Sequence, residues 1–146
     1  MTLKECLEKG FIKKQATSKE EIKNLLGIVE RDLTDSALEV TEDWKFGIAY
    51  NAALKLATIL LRSSGYRTSG LGHHGNTIAL IPVILGKHKK DDADYLDACR
   101  KKRNILEYDY VGCVTENEVV ELREFVIEFK KEVLDWLREK HSDLYI

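Results

Sequence analysis

Three times in 146 residues, a hydroxyl side chain is followed three places on by a glutamate at the head of an apolar-periodic run. The pairs are Thr2 with Glu5, Ser18 with Glu21, and Thr115 with Glu118. The first amides of a helix lack partners inside it; the hydroxyl takes one of them and the carboxylate reaches back for another. With three such marks, one proline and no alternating β-rich run, the chain is expected to be helical almost throughout. The spacing predicts a short helix over 3–9, stopped at Gly10, and longer ones over 19–39, 41–65, 77–85, 92–110 and 116–140. Asp91 or Asp92 is the expected cap of the fifth, and Pro82 bends or starts the fourth.

Each long segment carries an apolar stripe at helical spacing. Ile22, Leu25, Leu26, Val29 and Leu33 are expected inward on the second helix. On the third, Ala49, Ala52, Ala53 and Ala57 would let a neighbour approach closely, while Ile48, Leu56, Ile59 and Leu60 supply bulk. The last helix offers a broad stripe from Val119 and Leu122 to Trp136 and Leu137. Trp44 and Trp136 are both expected in the core. Connections are short and neither repeats nor linkers interrupt the chain, so neighbouring helices should pack antiparallel. The expectation is one all-α domain over 1–146, an up-and-down antiparallel four-helix bundle with short additional helices. A hydrophobic content of 44% is enough for a sizeable core.

Charge and cysteine usage narrow the function classes. The net charge of −2 excludes a global basic field, so any nucleic-acid contact must come from a local patch. Cys6, Cys99 and Cys113 are odd in number and fit neither a disulfide framework nor a zinc pattern. Free thiols suit a reducing, cytoplasmic setting, and Cys99 should be a small buried hydrophobe. The first residues lack the apolar core of a signal peptide, and the run from Ile78 to Leu85 is far too short to span a bilayer. No membrane partner, cofactor or metal is therefore expected.

The chemistry concentrates in the fifth helix. Leu96, Cys99, Arg103, Leu106 and Tyr110 fall on one face, which should be apolar and turned inward. An inward arginine keeps its charge, so it needs a carboxylate or a wet groove. Glu107 shares that face; Arg100, Asn104 and Tyr108 lie on the next. Guanidinium groups match phosphate oxygens, and amides and phenols can grip a base or ribose. The plainer alternative is an ordinary Arg103–Glu107 pair one turn apart, with the tyrosines as packing. The acidic residues Glu39, Glu42 and Asp43 are a further source of the carboxylate, or simply solvated helix ends.

Upstream, the glycine-rich connection from Ser63 to Gly75 holds Arg67, His73 and His74. Adjacent histidines point in different directions, so they are no metal clamp. One reading has them cap and pack at a helix entry. The other has His74 reach the Arg103 cleft, with Arg67 and His73 as binding residues. His88 with Lys87, Lys89 and Lys90 reads as a solvated turn, and His141 as surface.

Arg103-Asn104-x-x-x-Tyr108-x-Tyr110, near the end of the penultimate long helix, resembles the signature of the HEPN (higher eukaryotes and prokaryotes nucleotide-binding) family. That signature pairs an arginine, followed by a polar residue, with a histidine a few places on, and in a toxin subgroup with a trailing tyrosine. The alanine-rich helix ending in Gly65-Tyr66-Arg67, the Gly72-His73-His74 segment and Val114-Thr115-Glu116 extend the resemblance over roughly residues 18–140.

The resemblance implies a four-helix homodimer whose arginine and histidine motifs line a shared cleft. It implies metal-independent ribonuclease or toxin chemistry, and in some members a small nucleotidyltransferase partner. Arg103 takes the motif arginine, Asn104 the polar place and Tyr110 the trailing tyrosine. Tyr108 stands where the family has histidine. An imidazole titrates near pH 6.5 and can take and give a proton, whereas a phenol with a pKa near 10 is a poor base.

The expected function is RNA or nucleotide binding, with cleavage by attack of the RNA 2′-hydroxyl on the adjacent phosphate. In that reading Arg103, Asn104, Tyr108 and His74 are the catalytic set. Arg67, Arg100, Glu107, Tyr110 and His73 are binding residues. The competing expectation is a non-enzymatic helical module that docks a nucleotidyltransferase; a structural dimer with a vestigial motif is the third.

Overall fold

The computed structural model describes residues 1–70, 72–108 and 112–145, with side chains outside 106–108. The chain is mostly helical. In order it forms α1 (Leu3–Glu8), β1 (Ile12–Lys14), α2 (Lys19–Asp35), α3 (Glu42–Ser63), β2 (Tyr66–Thr68), α4 (His73–Ala79), α5 (Ile81–Leu85), a 3-10 turn (Lys87–Lys89), α6 (Lys90–Tyr108) and α7 (Glu116–Lys140).

The three sequence marks all sit at helix starts. Thr115 and Glu118 form the full reciprocal box. Thr2 and Ser18 accept the amides of Glu5 and Glu21 at 3.2 and 3.1 Å. The Glu21 carboxylate, however, turns to Thr17 Oγ1 and Arg62 Nη1 instead of its own cap.

Helix α3 is the hub. It packs most extensively on α2 and α7, and also touches α6, α4, α5 and β2. Its small residues Ala49, Ala52, Ala53 and Ala57 are all buried, which lets several helices close on it. The stripe of α7 is buried at Val119, Leu122, Val126, Phe129, Val133 and Leu137, while Phe125 and Trp136 pack half-buried at its edge. Tyr95 of α6 meets Phe125 with ring centroids 5.0 Å apart, and Lys102 of α6 pairs with Glu118. Among the described residues no helix is long and apolar enough to cross a membrane.

Several boundaries differ from the sequence expectation. Helix α2 ends at Asp35 rather than at 39. Thr34 Oγ1 donates to Glu30 O at 3.0 Å and Ser36 Oγ to Leu33 O at 2.8 Å, so local side-chain bonds compete with further turns. The predicted fourth helix is two short ones, beginning at His73 rather than Thr77 and broken at Leu80. Pro82 has no amide to give to the preceding turn. Helix α6 starts at Lys90, so Asp91 and Asp92 lie in its first turn instead of capping it, and the basic turn expected before it is a 3-10 turn.

The antiparallel pair β1–β2 has no counterpart in the expected helices. Its register sets Ile12 against Thr68, Lys13 against Arg67 and Lys14 against Tyr66. Three residues per strand are too few for a period-two signal to stand out. Ile12 is buried and anchors a small second cluster with Cys6, Leu61 and Leu80.

Trp44 is 68% exposed, against the expectation of a core residue. It lies in the first turn of α3, shortly after the exposed Leu38 and Val40 of the preceding connection. His141 caps the end of α7 half-buried against Trp136, at 4.9 Å between ring centroids.

Candidate functional site

Leu96 and Cys99 carry the inward face of α6 to full burial, and the next residue of that face is Arg103. Arg103 is half-buried, as expected for a cation placed on an apolar stripe. Its Cζ lies 5.7 Å from the centroid of the Tyr50 ring, within cation–π range. Tyr50 comes from α3 and is 1% exposed. From α4, the His74 ring approaches the same phenol with centroids 6.4 Å apart and planes tilted by 48°. Three elements that are distant in sequence thus meet at one buried ring.

The electrostatics of the two ring side chains follow from this setting. Burial pushes the Tyr50 phenol up to about 12, even though Arg103 and Arg100 pull the other way. The phenol is therefore neutral at any ordinary pH, and its hydroxyl has no hydrogen-bond partner among the described residues. His74 sits at the exposed rim, yet its pKa is lowered. Desolvation of the ring is the main cause, followed by the positive charges of Arg103, Lys55, Arg100 and His73. An imidazole held below its usual value is uncharged at neutral pH and free to accept a proton.

Arg100 lies across α4. A methyl added at Gly75 would stand 3.6 Å from the guanidinium carbon of Arg100. Its Nε donates to Asp97 Oδ1 at 2.8 Å, and Arg100 holds that carboxyl below the usual range, with Lys101 assisting. Asn104 is half-buried on the neighbouring face.

On the other side of His74 a cleft of about 150 Å³ opens between α3, β2 and α4. Lys55, Arg62, Arg67, His73 and His74 line it, with the hydroxyls of Thr58, Thr68 and Thr77. Thr68 Oγ1 and His73 Nδ1 share a hydrogen bond of 3.0 Å.

The structure therefore gathers Arg103, Arg100, His74, His73 and Arg67 of the expected set into one continuous region. Tyr110 lies outside the described residues, and so do the side chains of Glu107 and Tyr108. Two members of the acidic cluster have partners of their own. Glu42 pairs with Lys45 at 3.4 Å, and Asp43 Oδ2 accepts the Gly112 amide at 2.7 Å. Among the described residues no group of histidine, cysteine and carboxylate side chains is placed to hold a metal ion.

Sequence reasoning missed Tyr50 and Lys55. Both left a signal. Tyr50, Leu54, Ala57 and Leu61 form a buried stripe at helical spacing, and Lys55 is the lone charge between Ala49 and Leu61. Comparison with protein-family models, curated proteins and solved structures finds no match to this chain.

Proposed function

We propose that the chain is a HEPN-like protein: an up-and-down antiparallel bundle of α2, α3, α6 and α7 that works as a cytoplasmic homodimer. Its Arg103 site binds RNA or a nucleotide and cleaves RNA without a metal. The observation that carries this reading is the meeting of Arg103 and His74 at the Tyr50 ring. A half-buried guanidinium beside a neutral imidazole is what phosphoryl chemistry without a metal requires.

In the proposed reaction, His74 takes the proton of a ribose 2′-hydroxyl. The 2′-oxygen bonds to the adjacent phosphorus, and the bond from phosphorus to the 5′-oxygen breaks. A cyclic 2′,3′-phosphate and a 5′-hydroxyl result, with Tyr108 giving the leaving oxygen its proton. Arg103 stabilises the charge that gathers on the phosphorane oxygens, and Asn104 orients the phosphate. His74 replaces the histidine that the motif lacks at position 108.

The test is incubation of the purified protein with mixed RNAs in EDTA, beside Arg103→Ala and His74→Gln. Cleavage by the parent and none by either variant is the expected result. Equal cleavage by all three would locate the activity elsewhere, and silence with no RNA binding would end the reading.

A second reading has its own observation. Trp44, Leu38 and Val40 are exposed apolar side chains close together in sequence, of the kind protein partners cover. A helical partner of a small nucleotidyltransferase would use them. Loss of a co-purifying nucleotidyltransferase in Trp44→Ser, with RNA binding unchanged, would favour that alternative.

A further inference from the structure

The cleft between α3, β2 and α4 sets cations together without neutralising them. Arg62 is balanced by Glu21 at 3.2 Å. Lys55 and Arg67 make no ion pair among the described residues, and no carboxylate lines the cleft. The strand register adds to the excess. Lys13 stands directly opposite Arg67, so both side chains project from the same face of the pair. Like charges in that position destabilise a two-stranded ladder. A chain of net charge −2 has carboxylates to spare, yet it places none here.

Holding like charges together is unfavourable unless an anion completes the set. The hydroxyls of Thr58 and Thr77 donate to backbone carbonyls, so the neutral donor of the lining is His73. Thr68 fixes the His73 ring through Nδ1, which leaves the other ring nitrogen to the cleft. The volume decides the size of the guest. Pockets for whole small-molecule ligands measure roughly 300–1,000 Å³, and this cleft offers about 150 Å³. It suits one compact anionic group, not a nucleoside.

We infer that this cleft is a phosphate subsite, with Lys55 and Arg67 as its cations and His73, oriented by Thr68, as a further donor. It is separate from the Arg103 site and joined to it through His74, which faces both. The phosphate belongs either to a terminal phosphomonoester or to an internal link of a bound strand. The inference rests on the RNA reading only for the identity of the polymer; the subsite itself stands on the cleft.

The first experiment uses inorganic phosphate as the probe, by calorimetry at low salt, with the full chain. The parent binds it. Lys55→Met with Arg67→Gln weakens binding by about tenfold or more, a loss of about 1.4 kcal/mol. Lys23→Gln, an exposed cation elsewhere on α2, keeps it. If the double variant melts early, Arg67→Gln alone carries the test, since Arg67 is exposed on a strand and leaves the core intact. Phosphate must also shift the His73 and Thr68 resonances of the parent in NMR spectra. No binding by the parent, or equal binding by the cleft variants, overturns the inference.

The second experiment compares RNA oligomers of one sequence with a 5′-phosphate or a 5′-hydroxyl. Tighter binding of the phosphorylated form, lost in the cleft variants, assigns a terminal phosphomonoester. Equal binding of both forms, with a salt dependence flatter by about one unit per lost cation in the variants, assigns an internal phosphate. If inorganic phosphate binds as described while RNA does not, the RNA reading fails and the subsite stands.

Discussion

Replacing Tyr50 by phenylalanine should stabilise the protein. The side chain is 1% exposed, and its hydroxyl finds no hydrogen-bond partner among the described residues. A buried hydroxyl left unpaired costs about 1–3 kcal/mol. Phenylalanine removes it and keeps the ring beneath the Arg103 guanidinium. Allowing for a small void, the gain should be about 1 kcal/mol, or about 3 °C in melting temperature for a chain of this length. Tyr50→Leu removes the aromatic face as well. The cation–π contact and the lost volume together should then cost about 2–4 kcal/mol.

The alkaline side sharpens this test. The folded phenol has a pKa raised to about 12, above its unfolded value of 10. Its preference for the neutral form is fully present below pH 10 and is lost as pH rises through 12. The advantage of Tyr50→Phe should therefore widen over that window, by up to roughly 3 kcal/mol. Urea denaturation of both proteins at pH 7, 9 and 11 reads the effect. RNA binding should survive in Tyr50→Phe and fail in Tyr50→Leu. A phenylalanine variant that melts several degrees lower would show that the hydroxyl is satisfied, and the account of the buried ring would be wrong.

Other predictions test separate parts of the fold and site. His74, with its pKa lowered by desolvation and by Arg103, should titrate below the ordinary histidine value in NMR spectra, and Arg103→Met should move it back up. The sign for stability follows: the fold keeps its full stability above pH 6.5 and loses it as pH falls through the depressed value, a loss that His74→Gln should remove. Asp32 is buried and accepts from Asn51 Nδ2 at 2.6 Å and Arg31 Nε at 3.0 Å. Asp32→Ala should lower stability by about 2–3 kcal/mol in urea melts. Thr115→Ala opens the reciprocal capping box with Glu118 and should cost about 1 kcal/mol by calorimetry.

The helices were legible because their marks are local. Caps at Thr2, Ser18 and Thr115 and the stripes of α3 and α7 are written within a few turns of sequence and appear in the structure, except that Ile48 is only half-buried. The β1–β2 pair was not legible, because pairing Ile12 with Thr68 depends on how α1 and α3 bring distant segments together. Trp44 misled for a related reason. Its spacing suits a core, but in the first turn of α3 it is Glu42 and Asp43 whose carboxylate atoms are buried, while the indole faces out. The half-buried setting of Arg103 could be read from the stripe it interrupts. Its neighbour Tyr50 could not be read as a site residue, since a buried tyrosine on an apolar stripe is ordinary packing until a cation is found on its face.

The position of the site follows from how α3 is made. Its alanines let α6 and α4 approach the same stretch of helix. Close approach leaves little room for long side chains between the helices, and the Arg100 guanidinium lies against α4 at Gly75. Cations on α6 are thereby forced toward the rim shared with α4, where His74 and the basic cleft begin. Placed elsewhere on α6, the same arginines would be solvated surface charges with little energetic consequence. Held near a buried ring, they lower the His74 pKa and concentrate positive potential on one side of a chain of net charge −2. The small residues that give the core its tight packing therefore also place the groups that an RNA phosphate would meet.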